Sequence, residues 1–159
     1  MKNLRSQSSA GCAALCALAL ALPAALFADP AEDDPQASQR DPDYAAGKRA
    51  MENKNWPQAA SSFQQAALRD PANADLQNYL GFVHRKLERF DLAFKHYKRA
   101  LELSPRHRGA HEYIGETYLL TGDLAGAERH LEALKGICLL PCGELQDLER
   151  AIANYRSRK

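Results

Sequence analysis

Apolar positions along the chain fall into two regimes. From Ala10 to Ala28 the sequence AGCAALCALALALPAALFA runs almost without a polar side chain and carries no charge. From Arg40 onward, apolar residues recur at three- and four-residue intervals in blocks of 12 to 15, separated by short polar turns. That rhythm predicts helices over 42–54, 56–69, 74–87, 90–103, 108–121, 123–137 and 143–156. Their ends carry physical signals. Asp41-Pro42 opens the first, Pro71 and Pro105 disfavour helix in the residues before them, and Thr121-Gly122-Asp123 supplies a stop followed by a cap.

The blocks repeat. Gly47, Gly81 and Gly115 are spaced by 34 residues, as are Ala59, Ala93 and Ala127, and Phe63, Tyr97 and Leu131. Ala66 and Ala100, Pro71 and Pro105, and the series Trp56, Phe90, Leu124 keep the same step. One period held in six registers marks stacked supersecondary units. With repeats at 40–73, 74–107 and 108–141, the pattern resembles the tetratricopeptide repeat (TPR). Gly47, Ala59, Phe63, Ala66 and Pro71 match in the first repeat; Leu80, Gly81, Ala93, Ala100 and Pro105 in the second; Gly115, Tyr118 and Ala127 in the third. The signature tryptophan is replaced by Asp43, Gln77 and His111. The resemblance is to a small exported bacterial type. It implies an all-α fold over 41–158, a right-handed α-solenoid of three helix-turn-helix repeats closed by a capping helix at 143–156. In that helix Leu145, Leu148, Ile152 and Tyr155 share one face.

The resemblance also implies a use for the fold. The first helix of each repeat would line a concave face that takes a protein or peptide partner. Residues expected on it are Tyr44, Lys48 and Met51, then Asn78, Phe82 and Arg85, then Glu112, Glu116 and Leu119. Phe82 and Arg85 are the expected anchors, free of packing duties together with Lys48 and Glu116. The family's carboxylate clamp falls here on Tyr44 with Lys48, on Tyr79, and on Gly109 with Tyr113. Only Lys48 is charged, which argues against recognition of an acidic chain end.

Cys138 and Cys142 give the most specific chemical signal. Three readings compete: a structural disulfide, a redox-active pair and a metal-ligand pair. Residues four apart can close, whereas redox motifs usually have two residues between the cysteines and here there are three, so the structural disulfide is expected.

The leader fixes the compartment in which that bond would form. Lys2 and Arg5, the apolar run and the small Ala28 before acidic Asp29 have the order of a secretory signal, residues 1–28, cut after Ala28. Residues 29–40 (DPAEDDPQASQR) carry four acids and two prolines and no large apolar side chain, and are read as a disordered acidic tether. The expected location is therefore periplasmic or secreted, with the partner in the cell envelope and no stable membrane insertion after cleavage.

Composition narrows the chemistry. Lys and Arg number 21 against 20 Asp and Glu, for a formal charge of +1, so no electrostatic case exists for nucleic acid. Nothing assembles a nucleophile, a base and an oxyanion donor, no glycine-rich phosphate loop occurs, and an enzyme is not expected. His107 and His111 share a helical spacing, yet Arg108 stands where a zinc-protease motif needs glutamate. No metal or other cofactor is expected. The expected function is an exported, non-enzymatic adaptor or scaffold. The alternative is a thiol-redox or metal-handling accessory using Cys138 and Cys142.

Overall fold

The computed structural model describes residues 41–158, and the leader and tether lie outside them. Among the described residues the regular structure is helical: α1 (Pro42–Glu52), α2 (Trp56–Arg69), α3 (Ala74–Lys86), α4 (Phe90–Leu103), α5 (Arg108–Leu120), α6 (Leu124–Ile137) and α7 (Gly143–Ser157). Helices α1/α2, α3/α4 and α5/α6 form three antiparallel hairpins, and α7 packs against both α5 and α6. This is an all-α solenoid of helix-turn-helix repeats.

Side chains close most of the helix starts. The Asp41 carboxylate accepts from the backbone N–H groups of Asp43 and Tyr44 at 2.8 and 3.0 Å. Asn55, Asn73 and Asp123 cap α2, α3 and α6 in the same way. The His107 ring does so for α5, its Nδ1 accepting from Ala110 N–H at 3.2 Å.

The turn inside each repeat reuses one conformation. Lys54 (φ 55°), Glu88 (φ 58°) and Gly122 (φ 86°) occupy the left-handed region at the repeat spacing, and only the third is glycine. A side chain in that region costs about 1–2 kcal/mol, partly offset by the extra unfolded-state entropy of glycine. Glu88→Gly is therefore expected to raise the melting temperature by a few degrees, which a thermal melt checks.

Glycines set how closely the helices approach. A Cβ on Gly47 would lie 2.6 Å from the Phe63 ring, and one on Gly81 2.5 Å from the Tyr97 ring. Phe63 and Tyr97 are fully buried, so each repeat locks a large ring into the notch of its own first helix. The third repeat departs from this. Leu131 holds the ring position in sequence but is only partly buried, and the notch at Gly115 is filled by Leu148 of α7, 2.8 Å from the Cβ position. The capping helix thus supplies the wedge that the third repeat lacks. Leu148 and Ile152 join Leu119, Ala127 and Leu134 in the C-terminal core, while Phe63, Leu76, Leu80 and Val83 centre the N-terminal one.

Candidate partner-binding face

The first helices α1, α3 and α5 lie side by side, and aromatic rings tie them together. Tyr44 of α1 meets Tyr79 of α3 edge-on at 5.9 Å, and Tyr79 stacks on Phe63 at 5.2 Å. Farther along α3, Phe82 meets Trp56 at 6.0 Å and Tyr113 of α5 at 5.2 Å. Cations sit on these rings. Lys48 Nζ lies 4.5 Å from the Tyr79 ring centre and donates to the Tyr79 hydroxyl at 3.2 Å. Lys86 Nζ lies 5.2 Å from Phe82 and 6.0 Å from Trp56. Burial pushes the Lys86 ammonium below its ordinary range, helped by the neighbouring Arg85 charge.

Arg85 is the hinge pin between α3 and α5. Its guanidinium lies between Phe82 and Tyr113, 5.2 and 5.4 Å from the ring centres, and donates to the Glu116 carboxylate. Its side chain is 10% exposed. The expectation that Arg85 is free of packing duties is corrected here: it is consumed by the junction, because a guanidinium flanked by two rings and a carboxylate is shielded from solvent. Phe82 is half-buried, packed against the N-terminal core and between Trp56 and Tyr113.

The other expected residues divide between face and core. Tyr44, Lys48 and Glu116 line the face with Phe82, and Met51 packs at the edge of the N-terminal core. Asn78 and Glu112, equivalent in successive repeats, are both buried. Leu119 is not on the face at all. It lies in the C-terminal core because α7 covers the end of α5. Tyr79, Tyr113 and Lys86 also belong to the face; the sequence placed the two tyrosines only at clamp positions and did not single out Lys86. Their signal was present: Tyr79 and Tyr113 hold one register 34 residues apart, directly after Asn78 and Glu112.

A profile described as Tetratricopeptide repeat matches residues 44–107 and, in a second placement, residues 83–138. The chain belongs to the tetratricopeptide-repeat family. No curated protein matches the sequence significantly. Solved structures, two of them TPR domains, share the fold. The TPR2B domain of yeast Sti1 in a pHsp70 complex aligns with a TM-score of 0.69 and 17% identity, over 78% of this chain and 99% of that one. The Sgt2 TPR domain from Aspergillus fumigatus aligns at 0.65 and 17%, over 78% and 79%. The CopN–Scc3 complex aligns at 0.62 and 19%, over 78% and 71%.

Within this TPR chain the histidines form a second ordered system, away from the partner face. His96 shares a hydrogen bond of 2.9 Å between its Nδ1 and Gln77 Oε1 and stacks on His84 at 5.3 Å. One repeat later, His130 Nδ1 meets His111 Nδ1 at 2.9 Å and stacks on Tyr118 at 5.7 Å. The His111 Nε2–H donates to the Pro105 carbonyl, so its Nδ1 is the acceptor and His130 the donor. Burial lowers the pKa of all four rings, His96 and His130 to about 4. His107 and His111 do not converge: the first pairs with Asp75 at 2.9 Å while the second points to His130.

The sulfurs of Cys138 and Cys142 lie at bonding distance, 2.09 Å, with Cα atoms 6.0 Å apart. Cys138 ends α6 and Cys142 precedes α7, both in extended conformation, so the pair spans a bulge rather than a helical turn. Leu139 and Leu140 project from that bulge, 92% and 79% exposed.

Proposed function

We propose that this TPR protein is a non-enzymatic adaptor that holds an extended or helical segment of another protein on the face formed by α1, α3 and α5. The observation that carries the reading is the half-open aromatic row Tyr44, Tyr79, Phe82 and Tyr113 with cations already seated on it. Aromatic side chains dominate interface energetics, and rings held by their neighbours lose little entropy on binding. The Sti1 structure, in which a related fold is found with pHsp70, supports the reading by analogy of fold. Affinity capture followed by mass spectrometry tests it. Phe82→Ala/Lys86→Ala should lose the partner that the unaltered chain captures while keeping its helical circular dichroism. Capture that persists in this variant counts against the face.

We further propose that the protein acts outside the cytoplasm, in the periplasm or as a secreted protein, with its partner in the envelope and Cys138–Cys142 closed as a structural disulfide. The leader and the cysteine spacing support this. Mature protein should begin at Asp29 and take up no thiol-alkylating reagent before reduction. A mature chain beginning at Met1 would contradict the cleavage. Two alkylated thiols in native protein would instead favour the thiol-redox or metal-handling reading.

A further inference from the structure

The inner face carries a carboxylate that, among the described residues, no hydrogen bond or ion pair holds. Glu112 of α5 is 8% exposed and makes neither a hydrogen bond nor an ion pair. Glu112 is largely covered by its neighbours, yet its carboxylate oxygens are not sealed from solvent and remain within reach of a ligand. Its surroundings add negative charge: Glu116 on its own helix, and Asp147 and Glu144 on α7, all disfavour the ionised form, while only Arg85 of α3 favours it. The neighbours are already engaged. Arg85 is held by Glu116, Arg108 faces Glu144 at 3.6 Å, and Arg150 faces Asp147 at 2.9 Å. A second unmet acceptor belongs to the preceding repeat. Asn78, equivalent to Glu112 in register, is 6% exposed, and its Oδ1 is buried without a partner. Its Nδ2 lies 3.3 Å from the Cβ position of Gly109, one turn before Glu112 on α5.

We infer that Glu112, with the carboxylates around it and the register-equivalent Asn78 of the preceding repeat, forms a subsite for the cationic head of a lysine or arginine side chain carried by the partner segment. This deepens the proposed function and rests on it. Charge complementarity selects the occupant: Lys48 and Lys86 sit on rings and Arg85 is paired with Glu116, so the carboxylate left without a counter-ion is that of Glu112. The donor count agrees, because an ammonium or guanidinium brings several N–H donors to acceptors that lack them. Among the described residues, no three His, Cys, Asp or Glu groups gather closely enough to hold a metal ion, which favours an extended organic cation. The subsite is opposite in sign to a clamp for an acidic chain end.

Protonation gives the inference a signature. Burial, the first cause, and the carboxylates of Glu116, Asp147 and Glu144 push the Glu112 pKa up to about 7. A cation binds the ionised form, so affinity should rise with pH across this value and saturate above it. The test titrates the full chain with capped nonapeptides that differ only in a central lysine, glutamate or norleucine, by calorimetry at about pH 6 and about pH 8. The lysine peptide should bind roughly tenfold more tightly than the other two at the higher pH, and roughly tenfold more tightly there than at the lower. Glu112→Gln should erase both differences without lowering the melting temperature, since it removes a buried charge. Glu149→Gln, on the exposed side of α7, should leave both intact.

Equal binding of lysine and glutamate peptides, pH-independent lysine binding, or lysine binding unchanged in Glu112→Gln would each overturn the inference. So would magnesium or calcium ions binding alone with the same Glu112 dependence. A lysine peptide that fails to bind also overturns it. If Phe82→Ala/Lys86→Ala still abolishes partner capture in that case, the adaptor reading stands without the subsite; if it does not, both fall.

Discussion

Gly81→Leu is expected to lower the melting temperature by roughly 10 °C or more. Overpacking a well-filled core costs about 1–3 kcal/mol, occasionally more, and one kcal/mol moves a domain of this size by roughly 4 °C. This site belongs at the upper end. The first added carbon would already lie 2.5 Å from two atoms of the Tyr97 ring, and that ring is completely buried. It cannot swing aside, because Ala93 and Ile114 share its pocket and Tyr113 lies 6.4 Å away. Relief therefore requires α3 to move off α4, which also disturbs Arg85 and the junction to α5. An unchanged melting temperature would mean that Gly81 does not face Tyr97 and that the repeat register is misplaced.

Acid should destabilise the fold between about pH 6.5 and pH 4, the interval set by the unfolded and folded histidine values. His84, His96, His111 and His130 are all held neutral, each mainly by burial. For a group whose folded pKa is depressed and whose charged form is the protonated one, the stabilisation is present above the unfolded value. It drains away as pH falls toward the folded value. The His111–His130 contact sharpens the effect, since two Nδ1 atoms 2.9 Å apart need one bare nitrogen, and protonating His111 removes it. After discounting partial exposure, the combined loss is on the order of 3 kcal/mol. Glu112 works in the opposite direction, because its raised value makes the fold gain as pH falls below about 7. The four rings outweigh that single carboxyl. Thermal melts across this range check the sign. His111→Gln, which recreates the Gln77–His96 pairing of the repeat before, should flatten part of the slope. A melting temperature that rises steadily toward pH 4 would contradict the account.

Most of the scaffold was legible because its determinants are periodic. Gly47 and Gly81, Phe63 and Tyr97, and the small Ala59, Ala93 and Ala127 recur in register, and the close approaches they permit are those the structure uses. Helix ends at Asp41 and Asp123 were readable from capping chemistry, and α1 and α5 stop one or two residues earlier than the apolar pattern suggested. The left-handed turns at Lys54 and Glu88 were hidden, since neither residue type advertises that conformation. The exchange of Leu131 for Leu148 at Gly115 was hidden for a different reason: it depends on how α7 docks, which no local spacing encodes. The face was legible only as a set of positions. Arg85 and Glu116 read as free charges in sequence, yet they satisfy one another across 31 residues, and Leu119 reads as a face residue until α7 covers it.

Site-specific photocrosslinking tests the central claim most directly. A photoreactive phenylalanine analogue at Phe82, on the inner face, and in a second protein at Gln65, exposed on α2, would be illuminated in the presence of the captured partner. The proposed binding mode predicts an adduct from position 82, mapping to one continuous stretch of the partner, and none from position 65. An adduct from position 65 with none from position 82 would place the partner on the outer helices and contradict it.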